Sequence, residues 1–258
     1  MNLRDWLESE PVEGFSFSTE RWTERARSDD EDVIGALGYE LTRNYVEREW
    51  LERRLASMGY ERLAAHLRET VLPPPGNTRT GDFGEIVSTF VLRRHKGFFV
   101  PVLRLRYKDS PSGTQRLLDI VAFKFREPPE PTVVAISEVK TRTGSAPAIA
   151  ADAAAQLAAA VVDLPLSLSF MDRRLNAEGK HFLADRVAAL LDPEARFEIQ
   201  QHVFVVTDAD SLHPDTLARL EEVDRAEDVA VSLVLVAGLA NMIASAYAAA
   251  GELRDLSG

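Results

Sequence analysis

Two apolar runs, LLDIVAFKF over 117–125 and TVVAISEVK over 132–140, constrain this chain most, because each reads as a buried strand yet carries acids. Asp119 sits between Leu118 and Ile120, although Asp is among the residues most depleted from strands. Burying its carboxylate costs several kcal/mol unless a cation or hydrogen-bond donors meet it, so a partner is expected and a metal ion is the obvious candidate. In the second run Glu138 and Lys140 are two apart, so on a strand they project from one face. If the two strands are neighbours, Asp119 comes close to Glu138. Two hard oxygen ligands suited to Mg²⁺ would then stand beside an ammonium, a set suited to cleaving a phosphodiester.

The surrounding sequence is consistent with a packed domain. With 258 residues and 45% hydrophobic content the chain can bury a core, and it has no cysteine. That excludes a disulfide scaffold, a thiol nucleophile and a zinc-thiolate site, and fits a reducing compartment, with the cytoplasm as the expectation. The start MNLRDWLESEP has neither the basic residues nor the apolar run of a signal peptide. No apolar stretch is read as approaching the roughly 20 residues of a membrane span, so no membrane partner is expected.

The net charge of −11 argues against a nucleic-acid partner only until its distribution is read. Residues 1–85 hold 11 Lys+Arg against 18 Asp+Glu, and residues 127–258 hold 10 against 21, whereas residues 86–126 hold 9 against 2. A basic segment abutting the suspected site is what phosphate-backbone binding needs, although a solvated charged strand pair has the same composition. Arg93, Arg94, Lys96, Arg104 and Arg106 are its candidates for DNA phosphates.

Along the chain, residues 1–30 are polar and read as irregular. Over 31–58, Ile34, Leu37, Leu41, Tyr45, Leu51, Leu55 and Met58 recur at helical spacing, with Gly59 as the stop. A shorter helix near 61–70 precedes Pro73, Pro74, Pro75 and Gly76, the expected boundary between a helical extension (1–75) and a second domain (76–258). Beyond it a helix is expected over 82–97. Strands should follow over 100–107, 116–125 and 132–140, with SPSG and EPPEP as turns. An alanine-rich helix over 146–163, a helix over 178–191, a strand over 202–207, a helix after Pro214, a strand over 229–236 and a last helix to about 250 complete the reading. This order makes an α/β fold with a mixed sheet flanked by helices.

The acid in GDFGE (Glu85), the Asp in LLDIVAF (Asp119) and Glu138-Val139-Lys140 in SEVK follow one another as in the PD-(D/E)xK nuclease superfamily, which the region 81–207 resembles. Leu118 stands where that motif name has Pro. More narrowly, GDFGE at a helix start, the chain length and the N-terminal region are similar to the HamA family, effector subunits of Hachiman anti-phage defence that work with a helicase. The resemblance implies a restriction-endonuclease-like core, Mg²⁺ or Mn²⁺ as cofactor, DNA as substrate with 5′-phosphate products, and a helicase partner. It also implies Asp119, Glu138 and the Val139 carbonyl as metal ligands.

Each residue also has a plainer explanation. Asp119 could be a buried, hydrogen-bonded Asp, and Glu138 with Lys140 a strand-end ion pair worth little if exposed. As a catalytic group, Lys140 would hold or deprotonate the attacking water and offset transition-state charge. Glu85 would orient that water or ligate a second ion, yet Asp82 three residues earlier has capping-box spacing, which alone would explain it. Gln156 follows ExK where RecB-like nucleases carry a functional Gln, or is ordinary helix surface. The five histidines lack metal-ligand spacing, and GxSxG, P-loop and EF-hand motifs are absent. The alternative to a nuclease is an inactive nucleic-acid-binding or adaptor module that keeps the fold.

Overall fold

The computed structural model describes residues 3–25, 30–111, 118–126, 130–223 and 228–252, together with the backbone alone of Arg4 and Asp30. Its elements are β1 (Leu7–Pro11), β2 (Ser18–Glu24), α1 (Asp30–Tyr45), α2 (Arg48–Met58), α3 (Tyr60–His66), α4 (Asn77–Arg94), β3 (Ile120–Lys124), β4 (Thr132–Arg142), α5 (Ile149–Ala160), α6 (Leu164–Ala177), α7 (His181–Ala188), β5 (Phe197–Asp208), α8 (Thr216–Glu221), β6 (Ala230–Val236) and α9 (Leu239–Gly251). The six strands form one mixed sheet in the order β1-β2-β6-β5-β4-β3. β3 and β4 are an antiparallel pair, β4, β5, β6 and β2 run parallel, and β1 closes the far edge antiparallel to β2.

The central strands are unbroken apolar runs because helices cover both faces. Val133 and Ala135 of β4 join one core with Leu37 and Leu41 of α1, Phe83 and Val87 of α4, and Ile243 and Tyr247 of α9. Val134 and Ile136 point the other way, into a core with Ala153 and Leu157 of α5, Leu168 and Met171 of α6, and Val187 of α7. The α/β class and the helix-flanked mixed sheet are as expected from the sequence.

Several local expectations need correcting. The expectation of an irregular 1–30 fails over the described residues 3–25: β1 and β2 extend the sheet, and Trp6, Leu7 and Trp22 are buried. The segment before Pro73 is therefore helical only from Asp30 onward. The helix expected over 31–58 breaks between α1 and α2, with Gly59 (φ +77) ending α2 as read. α3 runs on through a π turn at Leu67–Val71.

No strand forms over 100–107. A single bridge joins Phe99 to Phe123, and Arg104–Tyr107 is a 3-10 turn. The alternating VLRLRY looks like a half-exposed strand, but its arginines bond inward. β3 begins at Ile120, while residues 116 and 117, most of EPPEP and the end of SPSG lie outside the described residues. β5 is longer than expected, and α6 was not foreseen; Pro165 lies in its first turn, where its missing N–H is harmless.

One helical run, Ile149–Ala177, is long and apolar enough to cross a membrane by length and composition, contrary to the sequence reading. It consists of α5 and α6 joined by a 3-10 turn at Val161–Asp163, and Ile149, Leu157, Leu164 and Leu175 pack into the second core.

Candidate functional site

The site lies where β3 stops and β4 continues. Ile120 is opposite Ser137, so β4 runs five residues past the last β3 pair, and among the described residues no strand covers that side of it. Asp119, just before β3, fills the notch, and its Oδ2 accepts the Val139 N–H at 3.0 Å. The expectation of an Asp inside a buried strand is corrected accordingly: Asp119 is at the strand mouth with 22% of its side chain exposed. Its carboxylate replaces the missing strand as partner for β4. Continuing the register places it opposite Glu138.

Glu138 and Lys140 share a face, as their spacing requires, and Lys140 Nζ donates to Glu138 Oε1 at 2.7 Å. Lys140 also donates to Oε1 of Gln156 on α5, so Gln156 belongs to the constellation although its residue is exposed.

Glu85 comes from the other face of the sheet, on α4, and Gly84 makes this approach feasible. A methyl group at Gly84 would lie 1.7 Å from Thr141 Oγ1 and 3.3 Å from Val139 Cγ1. Gly84→Ala should push α4 off β4, destabilising the fold by ~1–3 kcal/mol and displacing Glu85. Thr141 Oγ1 is buried without a described partner, so Thr141→Ala should cost little and recover much of that loss in the double variant. Chemical denaturation of the three variants checks this.

Asp82 does not cap α4, which begins at Asn77 after Gly76. It is buried within the helix, accepts from Lys108 Nζ at 2.6 and 2.8 Å and from Tyr45 Oη at 2.6 Å, and Tyr45 in turn bonds Tyr247 Oη at 2.8 Å. The capping-box explanation of Glu85 fails with it. Glu85 is instead clamped by Arg104, whose Nε reaches Oε1 at 3.2 Å and whose Nη2 reaches Oε2 at 2.5 Å. The same Nη2 donates to Asp119 Oδ1 at 2.9 Å.

Burial pushes the Glu85 carboxyl up to about 7, with Arg104 pulling it down and Asp119 pushing it up further. Burial and then Asp119 raise Glu138 as well, against the pull of Lys140. The unfolded chain loses the Glu85 proton near 4.5, while the folded chain keeps it to about 7. Stability should therefore fall as pH rises through that window. Glu85→Gln should lack this part of the slope, which urea denaturation at pH 5 and pH 8 would show.

The remaining basic candidates do not gather at the notch. Lys96 pairs with Glu20 and lies over the Trp22 ring; Arg106 donates to the Arg43 carbonyl at 3.0 and 2.8 Å. Burial lowers the pKa of Arg106 and of Arg93, which is half-buried, and Arg94 is exposed. Arg104, expected to meet DNA phosphates, is inside the site. Its role, and the Asp82, Lys108, Tyr45 and Tyr247 network, went unseen because no local pattern announces long-range ion pairs.

A cleft of about 20 Å³ beside Arg104 and Asp119 has room for roughly one water, while hollows of about 710 and 1100 Å³ elsewhere contain none of the carboxylates Glu85, Asp119 and Glu138. Among the described residues no three His, Cys, Asp or Glu side chains are grouped to hold a metal ion, and the Arg104 guanidinium bridges Glu85 and Asp119. Asp119 and Glu138 remain as the two-carboxylate donor set. No curated protein matches the chain significantly. The sequence profile of the HamA family matches residues 5–244, and the chain belongs to that family, which ties it to Hachiman defence.

Proposed function

We propose that this HamA-family chain is a divalent-cation-dependent nuclease that hydrolyses DNA phosphodiester bonds, the effector of a Hachiman pair whose other member is a helicase. The observation that carries the reading is the register placing Asp119 opposite Glu138, with Lys140 on the same face and Glu85 held over the same notch. The donors suit Mg²⁺ or Mn²⁺: both carboxylates are hard oxygen ligands, and no described donor reaches Glu138 Oε2. The N–H of Val139 points at Asp119, and one residue's N–H and C=O share a side of a strand, so the Val139 carbonyl faces the notch too. Burial first and then the neighbouring Asp119 raise the Glu138 carboxyl, and a cation bound there would offset both.

An ion held there would supply Lewis acidity to the scissile phosphoryl group. Lys140, placed by Glu138 and Gln156, would hold the attacking water and offset charge developing on the phosphate. Glu85, positioned by Arg104 and ionised above its raised value of about 7, would orient that water. With the basic segment largely engaged internally and the rest of the chain acidic, free DNA should bind weakly, which favours delivery by the helicase.

The test is incubation of the purified chain with supercoiled plasmid, alone and with the helicase, in Mg²⁺ and then in EDTA. Nicking or degradation only with metal is expected. Plasmid left intact in every mixture would favour the adaptor reading.

A further inference from the structure

The expectation that Glu85 ligates a second ion takes no account of Arg104, whose geometry speaks against that role for Glu85. Its guanidinium uses Nε and Nη2 on the two oxygens of Glu85, at 3.2 and 2.5 Å, and turns the same Nη2 to Asp119 at 2.9 Å. A planar fork with a permanent charge suits bridging two carboxylates from different elements, α4 and the start of β3. Both Glu85 oxygens are thereby engaged on the side facing Asp119. Each of these oxygens keeps a further lone pair, so what sets Glu85 apart is that a cation on it would meet the guanidinium charge at both oxygens, whereas Asp119 meets it at Oδ1 alone and Glu138 not at all.

The arginine is also fixed in place. It opens the 3-10 turn Arg104–Tyr107, next to buried Leu105, and the turn is anchored to α1 by the two bonds from Arg106 to the Arg43 carbonyl. Burial disfavours its charge, but Glu85 and Asp119 more than offset this and hold it protonated.

The charges lead to the same conclusion. Counted at formal charge, Glu85, Asp119 and Glu138 carry −3 against +2 from Arg104 and Lys140, leaving −1. One divalent ion makes this +1, and a bound phosphodiester brings it to zero. A second divalent ion would leave the occupied site at +2, unbalanced in a part-buried pocket.

We propose that Arg104 is the built-in second cation of this site, standing between Glu85 and Asp119 where a second divalent ion would bind, so that the chain takes up one divalent ion, on Asp119 and Glu138. This rests on the nuclease reading above and deepens it: the hydrolysis is a one-ion reaction with a guanidinium in the second position.

Mn²⁺ titration of the full chain at pH 8, followed by calorimetry and by electron paramagnetic resonance, tests it without any turnover. The wild type should bind one Mn²⁺ per chain. Arg104→Gln should bind two, with dipolar broadening between them, and Arg104→Gln with Glu85→Gln should return to one. If Arg104→Gln proves unstable, Arg104→Lys, which keeps the positive charge without the fork, should stay at one, and a second ion bound by it at the wild-type affinity for the first overturns the proposal. Two ions in the wild type, or one in Arg104→Gln, overturns the proposal and leaves the nuclease reading standing. An ion bound by Arg104→Gln but not by the wild type overturns it too, since Arg104 would then be a plug. No ion in any variant removes both readings together.

Discussion

Glu138→Ala should cut divalent-ion affinity by roughly 10²-fold or more and reduce DNA cleavage to background, without lowering the stability of the fold. Among the described residues Glu138 is one of two carboxylates at the β4 notch that Arg104 does not clamp in bidentate fashion, and no described side chain is placed to replace it. Its own carboxyl is pushed up by burial and by Asp119, so at pH 8 the ionised group costs the folded state energy. Truncation removes that repulsion, opens no large cavity and leaves Lys140 still bonded to Gln156. Calorimetric Mg²⁺ titration, plasmid cleavage and thermal denaturation on one preparation would check the three parts. Retained Mg²⁺ affinity would mean that Glu138 is no ligand, and a fall in melting temperature would mean that its bond to Lys140 matters more than its repulsion from Asp119.

The centre of the molecule was legible because there pattern and packing agree. β3 and β4 form within the two apolar runs, and the alternation of side chains along a strand is enough to bring Glu138 and Lys140 together and Asp119 opposite Glu138. Glu85 was found through its motif, while Gly84, which lets α4 lie on Thr141, has a role only the packed structure reveals. The N-terminal strands escaped because β1 is an edge strand, LESEP, with four of its five residues exposed, so it has no buried face to write an alternating pattern. The segment over 100–107 failed for the opposite reason: its alternation is real, but Arg104 and Arg106 point at Glu85 and at the Arg43 carbonyl instead of at solvent.

These contacts change what a deletion would mean. Residues 1–75 include β2, the parallel neighbour of β6, and α1, which packs along α9. Removing them would strip one edge of the sheet and uncover the α9 side of the core, so a truncated chain should lose stability before anything else.

Lys140→Ala should separate the ion from the water. Lys140 Nζ donates to Glu138 Oε1 at 2.7 Å and to Gln156, so its ammonium is aimed by two acceptors from two elements, which a solvated surface lysine would not be. Removing it leaves Asp119, Glu138 and the Val139 backbone untouched, so Mg²⁺ binding at pH 8 should survive or tighten once a neighbouring positive charge is gone. Toward pH 5 the same variant should bind Mg²⁺ worse than wild type, because Lys140 pulls the Glu138 carboxyl down against burial and Asp119, and without it a proton competes for that oxygen. The cleavage rate should fall by roughly 10²-fold or more, a plausible loss for a group that holds the nucleophile and offsets transition-state charge. Gln156→Ala, which loosens Lys140 without removing its charge, should fall between the variant and wild type. Single-turnover cleavage at saturating Mg²⁺ measures the rate apart from ion binding; a Lys140→Ala rate near that of wild type would reduce Lys140 to an ion-pair partner of Glu138 and would require another group in the notch to handle the water.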